Sequence, residues 1–285
     1  MSNINSPVWF ITGANRGLGL EIAKAGLALG YRVVATARNT QSINQELGPD
    51  SDHLLSLSLD VTNASSIEAA VNHAKETFLR IDVLVNNAGY GQMGAFEEVT
   101  PEAVERQFST NVFGLMDVTR TILPIMRRNG KGHIFNISSA AGLKGGNRYS
   151  VYAASKFAVT GFSESLAEEL RMFGIKVTVI EPGYFRTDFL DSSSIAHGTK
   201  AIEDYQAKSE KFRSNIANAN QLQSGDPKKL ARALMIIEAS ESPPIHFLAG
   251  RDAMDWLISK NQLMNDDISI WHELSVNTDF NLESP

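Results

Sequence analysis

Tyr152 and Lys156 stand four residues apart, a spacing that puts a phenol and an ammonium on one face of a helix. A free phenol ionises near pH ~10. A cation within hydrogen-bonding range favours its charged form and lowers that pKa by roughly 1–3. Such a pair can pass a proton to or from a substrate oxygen near neutral pH. The spacing alone is weak, because an ordinary exposed aromatic–cation pair has it too. Ser139 lies thirteen residues before Tyr152, beside Ser138 at the close of an apolar run. A hydroxyl there can orient a substrate oxygen next to the phenol, although serines at strand ends also serve as caps. A serine hydrolase is the rival reading of these serines, yet there is no Gly-x-Ser-x-Gly elbow and no histidine in an obvious partner position.

A second chemistry is written near the start of the chain, in Thr12-Gly13-Ala14-Asn15-Arg16-Gly17-Leu18-Gly19. Gly13, Gly17 and Gly19 permit a tight turn and let the backbone approach a pyrophosphate. A helix N-terminus following them offers free N–H groups and a positive dipole end. The spacing is neither G-x-G-x-x-G nor a P-loop, since no Gly-Lys-Ser/Thr follows. Asn86-Asn87-Ala88-Gly89 supplies small and amide residues suited to a loop touching a nucleotide, or equally to a plain turn.

The elements that must position these groups alternate short apolar runs with helical periodicity, the pattern of parallel strands joined by crossover helices. Strands are expected at Val8–Thr12, Arg32–Ala37, Leu54–Leu59, Val83–Asn86, His133–Ser138 and Lys176–Glu181, with a weaker seventh at Ile245–Leu248. Most are continuous apolar runs, as for strands covered on both faces. Helices are expected over Gly17–Leu29, Ser65–Leu79 and Ser150–Phe173, the last followed by Gly174 as C-cap. Thr100-Pro101 and Asp226-Pro227 each read as an N-cap with proline at the first helical position. The series has no break, so the expectation is an α/β fold with one doubly wound parallel sheet, a single domain over residues 1–285. The segment Tyr184–Gln223 is polar, rich in Ser, Asn and Ala, and weakly periodic. It follows the sixth strand at its carboxyl end, where open α/β sheets bind ligands, and reads as a substrate lid.

The remaining composition excludes other classes. The 285 residues carry a formal charge of −6 and no cysteine, which removes disulfide and thiolate chemistry and fits a reducing compartment such as the cytoplasm. The six histidines show no metal-ligand spacing. No run approaches the ~20 apolar residues of a membrane-spanning helix. After Lys260 the chain has no Lys or Arg but has Asp266, Asp267, Glu273, Asp279 and Glu283, an acidic tail that reads as a solvated edge. Nothing invites nucleic acid or an anionic membrane.

Taken in order, TGANRGLG, Asp60, NNAG, Asn111, Ser139, Tyr152-Ala-Ala-Ser-Lys156 and Pro182-Gly183 with Thr187 closely resemble the short-chain dehydrogenase/reductase family, from Val8 to about Thr187. The resemblance implies a seven-stranded Rossmann sheet and a nicotinamide cofactor. It places Gly13, Asn15, Arg16, Gly17, Leu18 and Gly19 around the pyrophosphate, and Asp60 with the backbone of Val61 at the adenine. Asn87, Ala88 and Gly89 would line the cofactor wall, and Pro182, Gly183 and Thr187 the nicotinamide end. Tyr152 would be the proton donor or acceptor and Ser139 would steady the carbonyl oxygen. Lys156 would hold the nicotinamide ribose, and Asn111, in Thr-Asn-Val-Phe-Gly, would position a water relaying protons to it. A structural reading of Asn111, a buried amide distorting its helix, is compatible with that relay.

Related proteins that use NAD(H) carry an acid at the end of the second strand to bind the ribose hydroxyls. Here that strand ends Thr36-Ala37-Arg38, and Arg16 stands in the glycine loop. Two guanidinium groups suit a 2′-phosphate, so NADP(H) is the expected cofactor. A cofactor-sensing scaffold on the same fold is the alternative to an oxidoreductase, and sugar-nucleotide chemistry fits the glycine spacing poorly. Tyr90, Met93, Ala141, Leu143 and Tyr149 are candidate substrate walls, with Tyr184, Phe185 and Phe189. They suit an apolar or aromatic ketone, aldehyde or secondary alcohol. Family members usually pair through the helices bearing Asn111 and Tyr152, implying a homodimer or homotetramer.

Overall fold

The computed structural model describes residues 6–280, so Glu283 of the acidic tail lies outside the described residues. The chain opens with β1 (Val8–Thr12), α1 (Gly17–Ala28), β2 (Arg32–Ala37), α2 (Thr40–Leu47) and β3 (Leu54–Ser58). It continues through α3 (Ala64–Phe78), β4 (Val83–Asn86), β5 (Gly91–Met93) and α4 (Pro101–Phe108). A π-helical turn at Ser109–Gly114 joins α4 to α5 (Leu115–Asn129), which leads to β6 (Gly132–Ile137), α6 (Ser150–Leu170) and β7 (Ile175–Pro182). The last elements are β8 (Ile195–His197), α7 (Glu203–Ala219), α8 (Pro227–Glu238), β9 (His246–Ala249) and α9 (Arg251–Val276).

The main sheet has seven parallel strands in the order β3-β2-β1-β4-β6-β7-β9. Its two faces come directly from the alternation of side chains along a strand. In β1, Val8 and Phe10 join the core under α3, α5 and α6, while Trp9 and Ile11 join the core under α1 and α8. Trp9 is fully buried between the rings of Tyr31 and Phe135, at 6.0 and 5.9 Å between centroids. Both faces are therefore apolar along β1, which explains why the strand reads as an uninterrupted hydrophobic run. The strands lie within a residue or so of their expected bounds.

The caps act as their residue types dictate. The Thr100 side chain accepts from Ala103 N, and that of Asp226 accepts from Lys228 N and Lys229 N. Gly174, at φ +67, ends the short 3₁₀ turn Arg171–Phe173 that follows α6. The glycine turn after β1 has Gly13 and Gly17 at φ +65 and +57, the left-handed region that a side chain disfavours.

Several stretches depart from the sequence reading. Tyr184–Gln223 is not an unstructured connection. It holds a 3₁₀ turn, β8, which pairs with β5 in a separate two-stranded sheet, and the seventeen-residue helix α7. The helix shows only weak periodicity because its inward stripe mixes Ser209 with the half-buried Tyr205, Phe212 and Ile216. The acidic tail is helical through Val276 in α9, whose one buried residue is Ala253. Its residues are indeed solvated, but as a helix. The short α2, which buries only Ile43, gives too little pattern to see.

Gly19 tests the packing of the turn. A Cβ there would collide with the carbonyl oxygen of Gly13 and with Asn87 Nδ2. Gly19→Ala is expected to destabilise the chain by ~1–3 kcal/mol through overpacking and to weaken dinucleotide binding, as read by urea unfolding and cofactor titration. An unchanged urea midpoint would show that the contact relaxes freely.

Candidate active site

The strand order reverses between β1 and β4, and the crevice at their carboxyl ends is where an open α/β sheet offers a site. A cleft of about 830 Å³ opens there. That is the size range of a cofactor or small-molecule pocket. Its floor is built by hydrogen bonds between the two strand ends. Thr12 Oγ1 accepts from Asn87 N and Ala88 N at 2.9 and 3.0 Å, and Asn87 Nδ2 donates to the carbonyls of Thr12 and Gly13 at 2.9 and 3.0 Å.

Gly13, Asn15, Arg16, Gly17 and Leu18 line one end of the cleft with Arg38, Asp60 and Val61. Asn87, Ala88 and Gly89 line its wall, and Pro182, Gly183 and Thr187 its inner end. The first turn of α1 has no side-chain cap, so its backbone donors are open to an anion. A Cβ at Gly17 would meet only Thr187, at 3.6 Å, and so would project into this cradle. A dinucleotide fits these residues: a glycine turn and uncapped helix end at one end, and a polar strand end at the other. Gly19, expected among the cofactor residues, does not line the cleft; it packs behind the turn. Gly183 has a structural duty as well, because a Cβ there would run into the Asp252 carboxylate.

Tyr152 and Lys156 project from α6 into the cleft, with Nζ of Lys156 5.8 Å from the centroid of the phenol ring. Ser139 lies near enough to the Tyr152 phenol to pull its pKa downward, and it caps the following turn by accepting from Ala141 N at 3.1 Å. Ser138, its neighbour, is buried and bonds the Lys156 carbonyl and Thr160 Oγ1 at 3.0 and 2.9 Å. The two serines are thus separated by the pleat, with only Ser139 reaching the phenol. Lys156 Nζ donates to the Ile137 carbonyl at 2.7 Å.

Burial governs both titratable groups. It pushes the Tyr152 phenol up to about 12, against a smaller downward pull from Ser139, and draws the Lys156 ammonium down to about 8. The phenol thus stands above its free value rather than below it, because desolvation is the largest influence on it.

Asn111 is 2% exposed and sits in the π turn. Its Nδ2 donates to the Tyr90 carbonyl at 2.9 Å and to Ser155 Oγ at 3.3 Å, while Oδ1 accepts from Tyr90 N at 3.1 Å. The amide ties the Tyr90 loop to α6 and does not line the cleft. The buried, helix-distorting reading describes its side chain; both amide protons are committed away from Lys156.

Of the substrate walls, Tyr90, Met93, Ala141, Tyr149, Tyr184, Phe185 and Phe189 line the cleft. Leu143 does not; it is the C-cap of the 3₁₀ turn Ala140–Gly142. Trp256, Asp252, Arg106 and Ser193 were not expected there, yet line it. No local motif marks them; they arrive from α9, α4 and the lid by tertiary packing. Among the described residues no cluster of potential metal ligands occurs, and no helix is long and apolar enough to cross a membrane.

A doubly wound sheet with a glycine cradle and a buried tyrosine–lysine pair at its switch point defines a dinucleotide-binding oxidoreductase. A family model described as "short chain dehydrogenase" matches residues 7–197. Oxidoreductase BOA17 of Botryotinia fuckeliana is 36% identical over 94% of this chain and 98% of its own length. The 3-ketodihydrosphingosine reductase of Bacteroides thetaiotaomicron is 38% identical over 84% of this chain and 86% of its own. A short-chain dehydrogenase from Streptomyces avermitilis superposes with a TM-score of 0.88 at 36% identity, covering 96% of this chain and all of that one. The chain belongs to the short-chain dehydrogenase family, whose members use NAD or NADP.

The opposed ionisations can be checked. Below about 8 Lys156 carries its proton and above that it loses it, whereas the phenol stays neutral until about 12. A neutral phenol is the form that can donate. The kcat/KM for carbonyl reduction is therefore expected to hold below pH 8 and decline above it as the cation is lost, with the break removed in Lys156→Met. Alcohol oxidation needs the phenolate and should rise throughout the alkaline range. A reduction profile flat from pH 6 to 10 would contradict these assignments.

Proposed function

We propose that this protein is an NADP(H)-dependent carbonyl reductase or alcohol dehydrogenase acting on a ketone, aldehyde or secondary alcohol. The observation that carries the reading is the buried Tyr152 phenol, near Ser139 and beside Lys156, facing an apolar wall. The bound nicotinamide supplies or accepts the hydride. Tyr152 gives its proton to the substrate oxygen in reduction and takes it back in oxidation, acting as general acid or base. Ser139 holds that oxygen by a second hydrogen bond. Lys156 holds the nicotinamide ribose and, while protonated, favours release of the phenol proton. Asn111 acts at one remove, fixing the Tyr90 loop against α6. Tyr152→Phe is expected to lower kcat ~100-fold or more while leaving the cofactor Kd within about twofold. A variant retaining a tenth of the wild-type kcat would remove Tyr152 from the chemistry.

The choice of NADP(H) rests on Arg38, exposed at the end of β2 where no acid stands, and on Arg16 in the glycine turn. NADPH is expected to bind at least tenfold more tightly than NADH, and Ala37→Asp with Arg38→Ala to reverse the order. Equal kcat/KM for the two cofactors in the unaltered enzyme would refute the assignment.

The lid reading of residues 184–223 rests on how the segment is attached. Arg16 donates to Ser193 Oγ and to the Ser193 carbonyl at 2.6 and 2.9 Å, and Ser209 of α7 donates to Glu98 at 2.7 Å. The segment also packs Phe189, Ile195, Phe212 and Ile216 with Met93, Ala141 and Tyr152, so it reaches from the glycine turn to the phenol. A 2′-phosphate would replace Ser193 as the partner of Arg16 and couple the lid to cofactor loading. Hydrogen exchange is expected to show fast exchange around Ser192–Ser194 that NADPH changes more than NADH does; identical exchange with both would dissolve the coupling. The apolar ketone class is supported by the cluster of Met93, Ala141, Tyr152 and Ile195 and by the ketone in the name of the Bacteroides relative. A homodimer or homotetramer through the helices carrying Asn111 and Tyr152 is supported by Phe113 and Phe157, both exposed there.

A further inference from the structure

The outer end of the cleft is closed by three aromatic rings from three different elements. Tyr149, the residue that leads into α6 three positions before Tyr152, stacks on Trp256 of α9 at 6.3 Å between centroids and 9° between planes. Tyr184, just past the end of β7, meets the same indole edge-on, at 6.3 Å and 86°. All three line the cleft that holds Tyr152.

The placement of Trp256 is fixed from both sides. Asp252, one helical turn earlier, accepts from Tyr184 N at 2.6 Å through Oδ2 and from Ala253 N at 3.0 Å through Oδ1. It sits so close to Gly183 that no side chain fits there. Ala253 is fully buried, and Lys144 Nζ donates to Ser259 Oγ at 2.8 Å, holding the next turn against the loop before α6. The first two turns of α9 are therefore docked, and the indole is a wall of the site rather than a surface ornament.

The chemistry of this wall is uncharged. Burial pushes the Tyr149 phenol up to about 12, and that of Tyr184 upward as well. The carboxylate of Asp252 is committed to backbone N–H groups. We propose that Trp256, with Tyr149 and Tyr184, is the specificity-determining clamp of the substrate site, binding an aryl or similarly flat apolar group attached to the reacting carbonyl. The inference rests on the carbonyl-reductase reading and deepens it. Trp256 lies beyond residues 7–197, the span matched by the family model. Flat rings suit such a slot because offset-stacked and edge-on contacts add to simple burial.

The test compares an aryl ketone such as propiophenone with a small aliphatic one such as 2-butanone in the intact enzyme. Trp256→Ala is expected to raise KM for the aryl ketone tenfold or more, with KM for 2-butanone and the Kd for NADPH within twofold. Trp256→Phe should restore the aryl KM to within about threefold. The Kd of propiophenone for the NADP⁺-bound protein, measured by calorimetry, reports the clamp independently of turnover. If no carbonyl is reduced by wild type but that Kd still weakens tenfold in Trp256→Ala, the clamp stands and the reaction assignment fails. Equal KM changes for both ketones, an unchanged aryl KM and Kd, or loss of NADPH binding in Trp256→Ala would overturn the clamp.

Discussion

The structure depends on the bonding of Thr12 at the end of β1 to Asn87 at the end of β4. Four hydrogen bonds, two into the Thr12 hydroxyl and two from the Asn87 amide, lock the glycine turn to the neighbouring strand end. This is the place where strand order reverses, so the crevice must open there, and the bonds give it a rigid floor. A turn with two residues at positive φ has little side-chain packing of its own to hold its shape. The asparagine supplies what side chains cannot, and Gly19 leaves room for the amide to reach across.

Behind that floor α6 is seated on buried polar bonds rather than on apolar contact alone. Asn86 donates to Thr119 and Asn136, Asn136 donates to Ser163 of α6, and Ser138 bonds the Lys156 carbonyl. Each removes a buried polar group from the list of those that would otherwise cost ~1–3 kcal/mol unpaired. Directional bonds also fix the rotation of α6, and rotation decides where Tyr152 and Lys156 point. The same burial that makes the seat rigid acts on their titration. It disfavours charge on either group, holding the phenol protonated and loosening the proton on the amine. In the free protein desolvation sets both; a bound pyridinium ring would add the positive charge that the phenolate lacks.

The parts outside this frame are attached differently. The segment 184–223 is joined by Arg16 to Ser193, by the buried Glu98–Arg148 pair to Ser209, and by Phe189, Ile195, Phe212 and Ile216 packing with Met93, Ala141 and Tyr152; α9 is joined by Asp252 and Lys144. These parts line the cleft without belonging to the main sheet.

Sequence by itself determined the sheet, the glycine turn and the tyrosine–lysine pair. Each is local: apolar runs fix strands, proline and threonine or aspartate fix helix starts, and a four-residue spacing fixes a shared helix face. It could not see α7 or α9: the inward stripe of α7 mixes Ser209 with Phe212 and Ile216, and α9 leaves most of its large apolar residues exposed. The resemblance singled out Ser139 of the two serines, and the structure adds that Ser138 is spent on the Lys156 carbonyl and Thr160. Sequence reading judged Gly19 and Leu143 part of the site, where packing put one behind the turn and the other beyond a 3₁₀ turn. Above all it gave no sign of Trp256, more than a hundred residues from Tyr149, because a contact between distant segments is set by how β7 and β9 stand side by side. Burial, and with it the direction of the shifts at Tyr152 and Lys156, was likewise decided only when those segments came together.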